Sequence, residues 1–266
     1  MSRMTQVIED QPSRIRVEQL AVAYQLGTLQ QEYRVKFARR NLMVGFLCLA
    51  MALFFAVFAV ASSSHPTAGD AVHIEMTMTV VLLLFALFGF FYPFFYRSWC
   101  VYLYSEGFAF ARRRKLDAFR WDQIESMLQR VTRQYVNGIY MGTNHRYTIR
   151  GLDGRQVVLT DRITHVEKLG DVISDMVTRV KLPEVSAAFK AGSVVTFGQL
   201  SVSLQGVSNG KETISWDQVK DVKVNRGIVI VKKEGKWLSW SSVRVANIPN
   251  FFVFLTLVNA VMRKAM

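Results

Sequence analysis

Two stretches of the chain show no alternation of polar and apolar positions. From Leu42 to Ala61 the sequence reads LMVGFLCLAMALFFAVFAVA without a charge, and Met76 to Phe95 forms a second uncharged run of equal length. At about 1.5 Å rise per residue, each predicts a helix of roughly 30 Å, the thickness of a bilayer's hydrocarbon core. The second run closes in Phe90, Phe91, Tyr92, Phe94, Phe95, Tyr96 and then Trp99, the aromatic composition of a lipid–water interface. Small residues recur at helical spacing: Ala52, Ala56 and Ala59 in one run, Ala86, Gly89 and Pro93 in the other. Such faces let two helices approach closely. A transmembrane hairpin over residues 42–96 is therefore expected. Neither run contains an ionisable residue from which an ion path or proton relay is built, so the hairpin reads as an anchor.

Charge orients it. Arg34, Lys36, Arg39 and Arg40 precede the first run, and Arg97 and Arg112 to Lys115 follow the second. The connecting loop, residues 62–75, has no lysine or arginine. The positive-inside rule then puts that loop outside and both termini in the cytoplasm, as in a multi-pass protein of the cytoplasmic membrane. In the leading segment, residues 1–41, Leu20, Tyr24, Leu29, Tyr33 and Phe37 recur every four or five positions. This predicts either an interfacial helix along the headgroups or a flexible lead.

Past the second run the period changes from helical to alternating. Trp121-Asp122-Gln123-Ile124 recurs as Trp216-Asp217-Gln218-Val219. Short strands are predicted before each copy, at 101–104 and 108–111 and at 194–197 and 200–204. A hairpin follows each, with Asp153-Gly154 and Glu234-Gly235 at the tips, where positive φ is needed. Each copy closes with a helix. The first carries Val166, Leu169, Ile173, Val177 and Val180, with Thr164 as a candidate N-cap; the second carries Phe251, Phe254, Leu255, Val258 and Met262 behind Asn247 and Pro249. The expected modules are residues 97–182 and 183–266. The last helix is apolar on nearly every face and must bury a second side, against the first module, another protomer or a membrane surface.

Several strands followed by one helix, twice, resembles the pleckstrin-homology-like (PH-like) fold. More narrowly, the chain resembles bacterial membrane proteins with a two-helix hairpin and tandem PH-like or GRAM-like domains. Gly107-Phe108 through Trp121-Asp122-Gln123-Ile124, Phe197-Gly198-Gln199-Leu200, and Trp240 through Phe251-Phe252-Val253-Phe254-Leu255 carry the resemblance. The implied fold class is a membrane-anchored α+β protein: a transmembrane helical hairpin, then two PH-like β-sandwich or barrel domains, each closed by a C-terminal helix.

Composition adds to this in two ways. Thirty-three basic against 20 acidic residues give a formal charge of +13, and residues 97–266 hold most of the excess. Two cysteines far apart exclude a disulfide framework and a cysteine-rich zinc site. No nucleophile elbow, P-loop, HExxH or dinucleotide fingerprint is present, so no catalytic residue, cofactor or metal is expected. Basic residues are scattered and no recognition helix appears, which disfavours nucleic acid.

Two places stand out as candidate sites. Arg112-Arg113-Arg114-Lys115 falls between two predicted strands soon after the hairpin. In PH domains the equivalent turn often grips inositol phosphates; the basic block itself either holds the domain to an anionic leaflet or only sets topology and solubility. The second place is an extra segment of the first copy, residues 131–145. Trp121 to Gly154 spans 33 positions, but Trp216 to Gly235 only 19. With Tyr135, Tyr140 and Met141 among glycines and asparagines, this segment is either a partner-contact loop or an elongated hairpin packing its own aromatics. The expected function is a non-enzymatic, membrane-anchored binding or scaffold protein, with anionic lipid headgroups or a protein as partner. The alternative is an oligomerising structural subunit of a membrane complex.

Overall fold

The computed structural model describes residues 14–35, 39–62, 69–96, 99–112 and 115–265, and it divides into two compact units.

The smaller unit, residues 34–100 with 111–116, is dominated by two apolar helices, α2 (Arg39–Ser62) and α3 (Gly69–Tyr96). Both are long and apolar enough to cross a membrane, over Asn41–Ala61 and His73–Tyr92. They meet along small residues. Ala52, Ala59 and Ala86 are buried, and a Cβ added at Gly89 would lie 2.9 Å from the Gly45 Cα. Gly45, Ala52 and Ala59 are spaced by sevens, the heptad of a closely packed antiparallel pair. The Phe46 ring packs edge-on against Phe90 across the pair at 4.9 Å, while large side chains such as Phe54, Leu84 and Phe88 stay exposed.

The larger unit holds residues up to 33, 101–110 and 117–266. It opens with α1 (residues 14–23), buried through Val17 and Ala21. The stripe from Leu20 to Tyr33 is not carried by one helix. Gln25 and Gly27 adopt positive φ, and the chain then enters a strand, β1 (Leu29–Arg34). Pairing with the next strand overrides the helical spacing of Tyr33, which is buried in β1; Phe37 lies outside the described residues. β1, β2 (Cys100–Tyr104), β3 (Gly107–Arg112) and β4 (Lys115–Arg120) form one sheet in that order. The first sheet thus draws an edge strand from before the apolar helices, and the chain from 35 to 99 is an insertion between two neighbouring strands.

A short 3-10 turn, Trp121–Gln123, leads to a three-stranded sheet of β5 (Ile124–Val136), β6 (Ile139–Gly151) and β7 (Gln156–Thr160), then α4 (Val166–Lys190). The succession then repeats. β8 (Val195–Phe197), β9 (Leu200–Val202), β10 (Gly206–Ser208) and β11 (Thr213–Ser215) form a four-stranded sheet. The 3-10 turn Trp216–Gln218 leads to β12 (Val219–Asn225), β13 (Ile228–Lys233) and β14 (Ser239–Arg244), and then to α5 (Phe251–Ala265). Among the described residues all four sheets are open.

The repeat extends to single atoms. The Trp121 indole N–H donates to the Ser105 carbonyl at 2.9 Å, and the Trp216 indole N–H to the Ser203 carbonyl at 2.9 Å. Gly107 and Gly206 each open the third strand of their sheet. A Cβ at either would strike a carbonyl two residues before the repeated tryptophan, that of Phe119 or Ile214.

The expected boundary at 182–183 falls inside α4, which runs through Pro183 to Lys190. The first half of α4 buries Val166, Leu169, Ile173 and Val177. Its second half places Leu182, Val185 and Phe189 on the cluster formed by Phe197, Leu200, Phe251 and Phe254. Thr164 does not cap α4: His165, in a left-handed conformation, precedes the helix without a side-chain cap bond. The second face of α5 meets α4 and β5 within the same chain. Asn250 fixes this contact. Its Oδ1 accepts from the Met127 N–H at 2.9 Å, its Nδ2 donates to the Glu125 carbonyl at 3.1 Å, and its own N–H donates to the Met127 carbonyl at 2.9 Å.

Candidate functional site

Strand direction decides where the basic turn sits. β1 ends at Arg34, and α2 begins at Arg39; α3 ends at Tyr96, and β2 begins at Cys100. β3 returns from β2 through the tight turn Ser105-Glu106, ends at Arg112, and is followed by β4 from Lys115. Arg112 and Lys115, at the end of β3 and the start of β4, therefore lie at the end of the first sheet where β1 stops and β2 begins. The Arg112 guanidinium lies over the Trp99 ring, 5.4 Å from its centroid, at the distance of a cation–π contact. Arg112 and Lys115 are exposed; Arg113 and Arg114 lie outside the described residues.

The extra segment of the first copy is a two-stranded arm. β5 pairs with β6 from Ile124 opposite Gly151 out to Val136 opposite Ile139, whereas β7 reaches only as far as Arg146 opposite Thr160. Residues 131–145 thus continue beyond the sheet. Asn137 and Gly138 turn the arm with φ of 50° and 80°, the doubly positive pair that matches strand twist in two-residue hairpins. A bulge lies beside Tyr135: Gln134 faces Gly142, Tyr135 faces Tyr140, and Met141 is the extra residue.

The arm brings together all three residues singled out in this segment. The Tyr135 and Tyr140 rings pack at 5.8 Å, and the Tyr140 and Thr143 hydroxyls are hydrogen-bonded at 2.6 Å. Self-packing and exposure coexist, since Tyr135, Tyr140 and Met141 each keep more than half of their surface in solvent. The sequence reading missed Val136 and Ile139, which are equally exposed on the opposite face of the tip. It also missed the basic collar below them. Arg130 stands directly opposite Arg146, and Arg133 lies on the other face. Alternation counted outward from the Asn137-Gly138 turn reveals the two-faced tip, but the bulge at Met141 shifts the register below it and hides the pairing of Arg130 with Arg146.

The remaining candidates are held in local structure. Asp122 pairs with Arg120 at 3.0 Å, and the His145 ring with Asp161 at 3.0 Å. A second exposed tip went unnoticed in the sequence: Trp237 and Leu238, fully and four-fifths exposed, between β13 and β14. An adjacent Trp-Leu pair outside the alternating run was its signal.

A family model, that of the family of unknown function DUF6585, matches residues 1–265, and the chain belongs to this family. No curated protein matches it. The match spans the apolar helices and both repeats.

Proposed function

We propose that the chain is a non-enzymatic, membrane-anchored binding protein. In this reading α2 and α3 cross the cytoplasmic membrane with both termini inside. The two repeats are PH-like modules, and Arg112 to Lys115 hold the first of them to anionic headgroups. The order of four strands, three strands and one helix, found twice, supports the PH-like reading. Low burial supports the spanning reading: only 17% of the first candidate span and 11% of the second is buried. A core helix of a water-soluble protein would be mostly covered, and side chains such as Phe54 and Phe88 would otherwise face water.

The observation that carries the proposal is the position of the basic turn. It occupies the end of the first sheet from which the chain enters and leaves the apolar helices, with only a few residues between strand and helix on each side. A helix pair in the bilayer then brings Arg112 and Lys115 to the leaflet surface, within the Debye length of about 10 Å over which each contributes on the order of 1 kcal/mol.

The test uses the full chain in neutral detergent micelles titrated with phosphatidylglycerol. The unfolding temperature should rise with the anionic lipid, less so at high salt. Replacing Arg112, Arg113, Arg114 and Lys115 by glutamine should remove at least half of the rise. An undiminished, salt-sensitive rise in the variant would reject this site.

A further inference from the structure

We infer that the β5–β6 arm is a second membrane contact, whose tip enters the interfacial layer of an anionic bilayer. The inference rests on the membrane-anchored reading, but it stands on different residues.

Its first ground is that the tip is apolar on both faces. Tyr135 and Tyr140 form a cross-strand pair on one face, and Val136 and Ile139 form a pair on the other. All four are more than half exposed. A protein surface covers one face of a two-stranded ribbon, and a groove must be shaped to take both. A fluid interface surrounds the ribbon from every side without such shaping.

The second ground is charge. From Ser126 to Leu152 the chain contains no aspartate or glutamate, but it does contain Arg130, Arg133 and Arg146, besides Arg150, which pairs with Glu125 at 3.5 Å. Arg130 and Arg146 are exposed and directly opposite across the ladder. Like charges so placed repel each other, and an anion shared between them removes the repulsion. Arg133 supplies the same charge on the other face.

Dimensions agree with this reading. The two terminal cross-strand pairs and the Asn137-Gly138 turn reach about 10 Å at roughly 3.4 Å per residue. That matches the roughly 5–10 Å to which interfacial elements bury their apolar side. Tyrosine suits this depth, with its ring among acyl carbons and its hydroxyl among headgroups. At the same rise Arg133 lies about 14 Å from the tip, beside the phosphates, and Arg130 and Arg146 about 24 Å from it, so the arm lies tilted to bring that pair to the headgroups.

The experiment places a nitroxide on the full chain in lipid nanodiscs of equal parts phosphatidylglycerol and phosphatidylcholine, with Cys48 and Cys100 first replaced by alanine. Ile139→Cys, or Val136→Cys as a second tip position, reports on the arm. Leu53→Cys reports on the middle of α2, and Lys211→Cys is the aqueous reference. The tip label should be more accessible to oxygen than to a water-soluble nickel chelate. Arg130→Gln, Arg133→Gln and Arg146→Gln together should shift it at least severalfold toward the chelate.

A tip label as open to the chelate as that at 211, with lipid contact retained at 53, overturns the inference and leaves the anchor standing. A tip label shielded from both reagents already in lipid-free detergent points to a protein contact and also overturns it. Aqueous accessibility at 53 would remove the anchored reading itself.

Discussion

Tyr147 shows how one side chain couples packing to pH. It lies on β6 under α4, 3% exposed, where a Cβ at Gly170 would strike its ring. A glycine inside a helix costs about 1 kcal/mol relative to alanine, and here it makes room for the ring. Burial pushes the Tyr147 phenol up to about 12, with Asp171, Glu167 and Asp161 adding like-charge repulsion against the phenolate. The folded state therefore keeps this proton when the unfolded chain has released it. The contribution is fully present below pH 10 and is lost as pH rises from about 10 to 12. A difference of two pKa units is worth on the order of 2–3 kcal/mol. Urea denaturation in detergent between pH 9 and 12 should show stability falling across that window, and Tyr147→Phe should flatten the decline. An equal alkaline slope in both proteins would assign it to other groups.

At the level of elements, Asn250 joins the two repeats. It sits at φ 51° immediately before α5, and its carbonyl accepts from the Phe254 N–H while its amide bridges to β5 at Glu125 and Met127. Asn250→Gly keeps the backbone freedom and loses the side-chain bonds, which predicts a loss of about 2 kcal/mol. Asn250→Ala adds the left-handed strain and should cost about 1 kcal/mol more. Denaturant titration of the two variants separates these contributions, and equal losses would show that the backbone carries no strain here.

Elements of this kind differ in how legible they are. The apolar helices, the hairpin tips and the repeated tryptophan turns are written in local patterns of charge, glycine and periodicity. The continuation of α4 through Pro183 is not, because a shared core of Leu182, Val185 and Phe189 outweighs the proline's missing hydrogen bond. The staple at Asn250 is invisible for the same reason: its partners are more than a hundred residues away. For the arm, the extra length, the aromatics and the two-faced tip could be read from the turn outward, but the opposed arginines required the register, which the bulge at Met141 shifts by one.

At the scale of the whole molecule, the separation of α1 and β1 from their sheet was the least legible feature, since the apolar helices lie between them in the chain. The second repeat shows what the first would be without that insertion. Its equivalent strands, β8 and β9, are joined by Gly198-Gln199 alone, with Gly198 at φ 68°. A chain in which residues 36–98 are replaced by Gly-Gln should therefore fold as a water-soluble protein with one cooperative transition. A chain that simply begins at residue 97 lacks Val17, Ala21, Leu26 and Tyr33 from its core and leaves β2 as an open edge. Open hydrophobic edges aggregate, and the lost burial is worth at least about 3 kcal/mol. Sedimentation velocity and urea denaturation of the two chains compare them directly. If the chain starting at 97 proved as soluble and as stable as the relinked one, β1 would be dispensable and the inserted-hairpin architecture would lose its energetic basis.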